Sequence, residues 1–475
     1  MAEGDPKQEA SAGGGEPSPP DRGPLEQVLS VFADVRRGEG PTVLLLTLGL
    51  FLLLSAYYVI KPVRDSLITG VPGGAEYKSY MGAAIAVALL FAVPAYARFA
   101  ARLPRSRLLL TVTAFFVANL VAFYLAGLLP GAASGRGGLA FALGFYLWAG
   151  IFNMMVVAQY WAFANDLYTE EQGKRVFPLI GIGASVGSAV GSLLLDKLVR
   201  RYGTITMLLV AAVVLGASGA VAVLVSTRAP ARASTPTKPK STQPAEDDSQ
   251  GAFAMVRSHR YLMLLAAFSV VFTLVNTNAE YVKDVLIKAA AAAAGQEQGL
   301  SAAAVKDLRT QLFNEFYLYV NVLGAILQSF VVSRVVKFLG LRRGFFILPV
   351  VALLDATTIA LLPVWGVVRF GKIAENAVDY SLNNTLRNVL WLPTTRRMKY
   401  VAKQAVDTFF VRAGDVLSAI LVFVLADRLS LSVRVFAVIN VVLVVGWLWL
   451  ARRIVAENEA LSTSQGAPEP GSKIS

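Results

Sequence analysis

Lys61–Ile68 reads KPVRDSLI and follows Leu45–Ile60, LLTLGLFLLLSAYYVI, a run that is almost wholly apolar. A helix that spans a bilayer needs about 20 apolar residues, so the run reads as membrane. Two cations and one anion, with a proline among them, then arrive together at its end. An ordinary helix end explains cations alone, because long basic side chains snorkel to the interface. Here Tyr57, Lys61, Arg64 and Asp65 stand at i, i+4, i+7 and i+8, which is one helical face. Pro62 removes a backbone hydrogen bond, and the helix is expected to open there.

Composition extends that reading to the whole chain. It is 55% hydrophobic and 16% charged, with a mean hydropathy of +0.57. These values point to an all-α polytopic membrane protein. Twelve spanning helices are expected, centred near 42–62, 79–100, 107–129, 138–164, 176–196, 204–226, 260–282, 312–333, 343–365, 367–391, 406–426 and 432–452. There is no cysteine, which excludes disulfides and thiol chemistry, and the single histidine, His259, falls in a loop. No metal site and no cofactor are expected. The formal charge of +13 does not mark a nucleic-acid partner, because it sits at helix ends. Arg98, Arg102, Arg105 and Arg107, then Lys174 and Arg175, then Arg334, Lys337, Arg342 and Arg343, then Arg396, Arg397, Lys399 and Lys403 fall on one side if the N-terminus is cytoplasmic. Lys197, Arg200 and Arg201 are the exception. Both termini are therefore expected in the cytoplasm.

Residues 227–252 form a polar Pro/Ser/Thr/Lys linker. The expected layout is a cytoplasmic, mostly disordered segment 1–41 with a short amphipathic helix over 25–37, a six-helix bundle 42–226, the cytoplasmic linker 227–252, a second six-helix bundle 253–455 and a disordered cytoplasmic tail 456–475. The halves share motifs in the same order. VRDSLI (63–68) matches VKDVLI (282–287), RFAARLPRSR (98–107) matches RVVKFLGLRR (334–343), and SLLLDKL (192–198) matches VFVLADRL (422–429). The drift in offset is assigned to loop insertions, notably the Ala/Gln-rich stretch 289–311. Two six-helix bundles repeated in parallel are the major facilitator architecture. Of its basic loop signature only Gly340, Arg342 and Arg343 remain.

Charges in a bilayer are costly and tend to be paired and functional. Besides Lys61, Arg64 and Asp65, segment 7 puts Asn276, Glu280, Lys283 and Asp284 on one face, and segment 4 holds Asn153. Segment 10 carries Lys372, Glu375, Asp379, Asn383 and Arg387 in steps of 3, 4, 4 and 4, a stripe that cannot face lipid. That stripe lines a water-filled path or forms a buried ion-pair ladder, with Lys372–Glu375 and Asp379–Arg387 as pairs. The glycines 181, 183, 187 and 191 read as a close helix-packing face.

VRDSLI, YWAFANDLYTEEQGKRVFPLIGIGASVG (160–187), DYSLNNTLRNVLWLP (379–393) and KQAVDTFFVRAGDVLSA (403–419) resemble the ATP/ADP translocase family of obligate intracellular bacteria and plastids. The resemblance covers most of residues 42–455. It implies a nucleotide exchanger of major facilitator type in a bacterial inner membrane, with Arg64 and Asp65 at the place of a phosphate-binding Lys-Asp pair. Two features depart from the family. The zone WAGIFNMMVVAQ (148–159) has no glutamate, and Asp379 stands where the family has lysine.

The expectation is a secondary transporter of an anionic small molecule, nucleotide-like by the resemblance, working by alternating access. Lys61, Arg64, Lys283, Lys372 and Arg387 would meet substrate charge, with Asn153, Asn276 and Asn383 beside them. Asp65, Glu280, Asp284, Glu375 and Asp379 would position those cations or relay protons, Asp379 first among them. The alternatives are a carrier of another organic anion or proton-coupled solute, and a membrane interaction or lipid-handling protein on the same fold. No Walker-type loop or nucleophile–base pair supports an enzyme.

Overall fold

The computed structural model describes residues 23–29, 35–100, 105–132, 135–168, 170–228, 252–395, 398 and 402–466. Most of the 227–252 linker, the first 22 residues, Arg102, Arg396, Arg397 and Lys399 lie outside them. The described residues fold as helices. After a short helix, Pro24–Leu29, the apolar run and KPVRDSLI form one helix, α1 (Gly40–Gly70), with a proline in its first turn. Pro62 lies inside α1 and is buried, and the helix does not open there. Packing on neighbouring helices holds the turn that lacks its donor. The chain then turns at Gly73, whose φ of 68° favours glycine.

α2 (Gly74–Ala100), α3 (Arg105–Gly127), α4 (Gly135–Leu167) and α5 (Glu170–Arg228) complete the first half. α5 is two helices joined at Gly203, where φ 77° and ψ 164° break the ladder. Three of the four glycines on the expected face do what their spacing implies, while Gly181 faces open space. A Cβ at Gly183, Gly187 or Gly191 would strike the carbonyl oxygens of Thr47, Phe51 or Ser55, so α5 lies directly on the α1 backbone. Ser55 Oγ donates to the Gly187 carbonyl at 3.0 Å across that contact.

The second half begins with Ala252–Ser258 and α6 (Arg260–Glu297). The Ala-rich stretch from 289, expected as a loop insertion, instead supplies the last turns of α6 with its first part. Six consecutive alanines have the best helix propensity, and the helix ends at Glu297, two residues before Gly299, φ 62°. α7 (Ala302–Ile326) starts on a Ser301 cap, whose Oγ accepts from the Ala304 amide at 3.2 Å. α8 (Ile347–Leu361) and α9 (Trp365–Val378) follow. α9 passes through a π-helical turn, Asp379–Asn383, into Asn384–Val389. α10 (Val411–Val422) and α11 (Val433–Gly466) close the fold, and α11 carries helix past the expected tail boundary at 456.

Among the described residues eight helices are long and apolar enough to cross a membrane. Large apolar side chains such as Phe91 and Phe338, each 73% exposed, cover the outside as lipid-facing surface requires. One core fills the first half and a second fills most of the other. A third joins Ala75 of α2 to Tyr281, Phe313, Phe316 and Tyr317 of α6 and α7. Hydrogen bonds between the halves gather at the end of the molecule where α1 and the 281–288 turns of α6 meet the start of α7. Thr204 donates to Asp307 at 2.7 Å, Arg309 Nε to the Ser66 carbonyl at 3.0 Å, and Tyr281 to Glu76 at 3.0 Å.

Candidate functional site

The face of α1 foreseen from spacing turns inward. Asp65 is fully buried, and its Oδ1 takes Arg64 Nε at 2.9 Å and Arg64 Nη2 at 2.8 Å. Asp65 Oδ2 takes the Tyr317 hydroxyl of α7 at 2.5 Å and Lys78 Nζ of α2 at 3.3 Å. Lys78 also reaches Asp284 of α6, with Nζ 3.0 Å from Oδ1 and 2.8 Å from Oδ2. The repeated aspartates of VRDSLI and VKDVLI thus hold one lysine between them, one from each half.

The network continues along α6. Lys283 Nζ lies 3.5 Å from Asp284 Oδ1 and pairs with Glu280. Glu280 Oε1 lies 3.9 Å from Lys372 Nζ of α9, and Lys372 donates to Glu375 Oε2 at 3.1 Å. From Arg64 to Glu375 the charges alternate in sign over helices of both halves. In a water-poor interior this alternation is what makes buried charge tolerable. Aromatic rings close it in. Arg64 stacks over Tyr146 at 4.4 Å, and Lys283 lies 4.7 Å from the Phe316 ring centre.

Lys61 stands apart. It is half-buried on the same α1 face and within electrostatic range of Asp65, Glu280, Arg64 and Lys283. Among the described residues it makes no carboxylate ion pair within 4 Å. Its ammonium instead sits over the Tyr317 ring at 3.9 Å and the Tyr58 ring at 5.4 Å. Cation–π contact stabilises such a cation without neutralising it.

Other expected residues fall elsewhere. Lys372–Glu375 is a pair, as the stripe implied, but Asp379–Arg387 is not. Arg387 Nη2 pairs with Asp407 at 3.4 Å and its guanidinium lies 5.3 Å from the Phe272 ring, while Asp379 accepts from Asn383 at 2.8 Å. The π turn at 379–383 inserts an extra residue and swings the later side chains off the stripe. Asn153 and Asn276 are half-buried in α4 and α6. The asparagine of α6 that is tied down is Asn278, which donates to Asn440 of α11 at 2.7 Å.

Two participants in the network were missed from sequence, and so was one buried acid outside it. Lys78 lies one residue before the expected span 79–100, so it was never counted as intramembrane. Tyr317 gave no signal beyond its aromatic type. Asp355 is buried in α8, a lone acid within ILPVVALLDATTIAL. An isolated carboxyl in an apolar run was the clue that identifies it. A separate cavity of about 440 Å³, lined by Glu315, Phe316, Trp365 and Arg369 among others, lies between α7 and α9.

No curated protein matches the chain. Solved structures of transporters do match it in fold. A POT family transporter in complex with 5-aminolevulinic acid shares 13% identity at a TM-score of 0.57, over 88% of this chain and 96% of that one. The nucleoside transporter NupG shares 11% at 0.57, over 86% and 98%. A bacterial homologue of the iron transporter ferroportin in an inward-facing state shares 12% at 0.61, over 87% and 98%. These are major facilitator-type transporters, and at such low identity they establish architecture alone. The family model described as TLC ATP/ADP transporter matches residues 139–457. That match covers more than half of the chain, and with an all-helical, membrane-spanning fold shared with solved transporters, the chain belongs to the TLC ATP/ADP transporter family.

Proposed function

We propose that this chain is a secondary transporter that exchanges nucleotides of the ATP/ADP type by alternating access, and that Lys61 is its principal phosphate-binding cation. The observation that carries the reading is the ammonium of Lys61, which among the described residues has no ion-pair partner, beside a charge network that is paired. A phosphate oxygen is the natural partner for a desolvated cation, and Tyr57 and Tyr58 offer rings to a base. Arg64 stands next to Lys61 and would exchange part of its bond to Asp65 for substrate. Asn153, Asn276 and Asn383 are the polar groups offered to the rest of the ligand.

The same reading takes the layout as two six-helix bundles, 42–226 and 253–455, of twelve spans in total around a midplane site. It places the termini and the linker in the cytoplasm of a bacterial inner membrane. Lys78, held by Asp65 and Asp284, then closes the outer end, so the described state is shut toward the outside.

The test is uptake of labelled ATP by proteoliposomes loaded with ADP, comparing wild type with Lys61→Ala and Arg64→Ala. Uptake that requires internal ADP and is lost in folded variants supports the assignment. A folded wild type that takes up no nucleotide refutes it. One feature favours a second reading, a different organic anion: Asp379 stands where the family has a lysine, which removes a positive charge from the π-helical turn after α9.

A further inference from the structure

Along the network the signs alternate without a fault from Arg64 to Glu375. Four cations, Arg64, Lys78, Lys283 and Lys372, face four anions, Asp65, Asp284, Glu280 and Glu375. The next group breaks the pattern. Asp355 of α8 is 3% exposed and packs against α9 at Gly371, one turn before Glu375 on the same helix. Its Oδ1 has no hydrogen-bond partner and points at Gly371, where any Cβ would collide with it. The charged groups acting on Asp355 are Glu375 and Lys372, both of α9. The other helix packed on α8 is α11, which has no ionisable side chain between Arg434 and Arg452. Lys372 is already engaged with Glu375 and Glu280.

A carboxyl buried beside a second carboxyl, with an oxygen left unpartnered, does not ionise together with it, and one of the two keeps a proton. We infer that Asp355 and Glu375 form a proton-binding site, and that its occupancy is coupled to transport. The proton comes from water on one side of the membrane and binds the Asp355 carboxylate, which then donates to Glu375. On its release, the new carboxylate of Asp355 competes for Lys372. That draws Lys372 from Glu280 and loosens the ionic link between α9 and α6. Coupling rests on the proposed transport function, whereas the proton site itself does not.

The experiment therefore has two arms. The first is infrared difference titration of the purified protein in lipid, which follows the C=O band of protonated carboxyl groups and needs no substrate. Wild type should show a buried-carboxyl band that Asp355→Asn removes and Glu375→Gln shifts in frequency. An unchanged spectrum in both variants overturns the site, as does loss of the signal on adding sodium at constant pH, which would make it a metal-cation site. The second arm imposes a pH gradient on proteoliposomes. Wild-type uptake should respond to the gradient, while Asp355→Asn keeps exchange at equal pH and loses the response. A gradient response equal in the two proteins overturns the coupling. Absence of any nucleotide uptake, with the carboxyl band present, would count against the nucleotide reading alone.

Discussion

Lys61 and Asp65, four residues apart, occupy opposite electrostatic situations. Among the described residues Lys61 has rings around it and no ion-pair partner, while Asp65 is held by Arg64, Lys78 and Tyr317. Removing each should therefore fail differently. Lys61→Ala takes away a charge-assisted contact to substrate, worth about 1.5–3 kcal/mol. Apparent substrate affinity should drop roughly 10- to 100-fold with little change in thermal unfolding, as measured by initial uptake rates against concentration. Asp65→Asn leaves Arg64 without its anion and takes one of the two carboxylates that hold Lys78. Breaking a buried pair on one side costs about 3–5 kcal/mol, so the variant should unfold at a clearly lower temperature in detergent. Asp65→Asn combined with Lys78→Met should recover part of that loss. Lys61 and Asp65 were both legible in KPVRDSLI as charges on one face. Their unequal pairing was not, because it depends on Lys78 and Tyr317, which are distant in sequence.

At the scale of the element, α1 and α5 touch backbone to backbone. Gly187→Leu drives a side chain into the Phe51 carbonyl. It should destabilise the first half by about 1–3 kcal/mol or more, read as a lowered unfolding temperature that Gly181→Leu, in open space, does not share. The start of α1 is tied to α5 by Glu39, whose Oε1 takes Arg175 Nη2 at 3.0 Å. Burial alone would raise the Glu39 carboxyl, but the bonds from Arg175 and the Arg36 amide outweigh it and hold it below the usual range. A lowered carboxyl contributes stability that is present above its unfolded-state value and lost as pH falls through the folded one. The wild type should therefore lose more stability than Glu39→Gln between neutral and acid pH, as followed by unfolding temperature against pH. Element identity was readable from apolar length, and the glycine face from its spacing. The π turn at Asp379–Asn383 was not. A regular helix turns about 100° per residue, and one extra residue in the ladder sends Arg387 to Asp407 instead of Asp379.

The whole molecule is joined at one end by groups from both halves, with Lys78 between Asp65 and Asp284 at its centre. Lys78→Met should weaken that closure and shift the population toward a state opened there. The native chain has no cysteine, so paired spin labels on α2 and α6 can be introduced without background. Electron–electron distance distributions should gain a longer component in Lys78→Met. An unchanged distribution would remove Lys78 from the closure.

That this chain is helical and belongs in a membrane is written in its residues, because apolar length and the absence of water leave the backbone few choices. The repeated Asp-bearing ends of α1 and α6 and the charged face of α9 are written there too, since helical spacing is a local property. Which charge meets which is settled only by packing. Lys78 bridges the halves, Asp355 packs on α9 at Gly371, and Lys61 is left over, because pairing in a low-dielectric interior is set by contacts of a few ångströms between helices far apart in the chain.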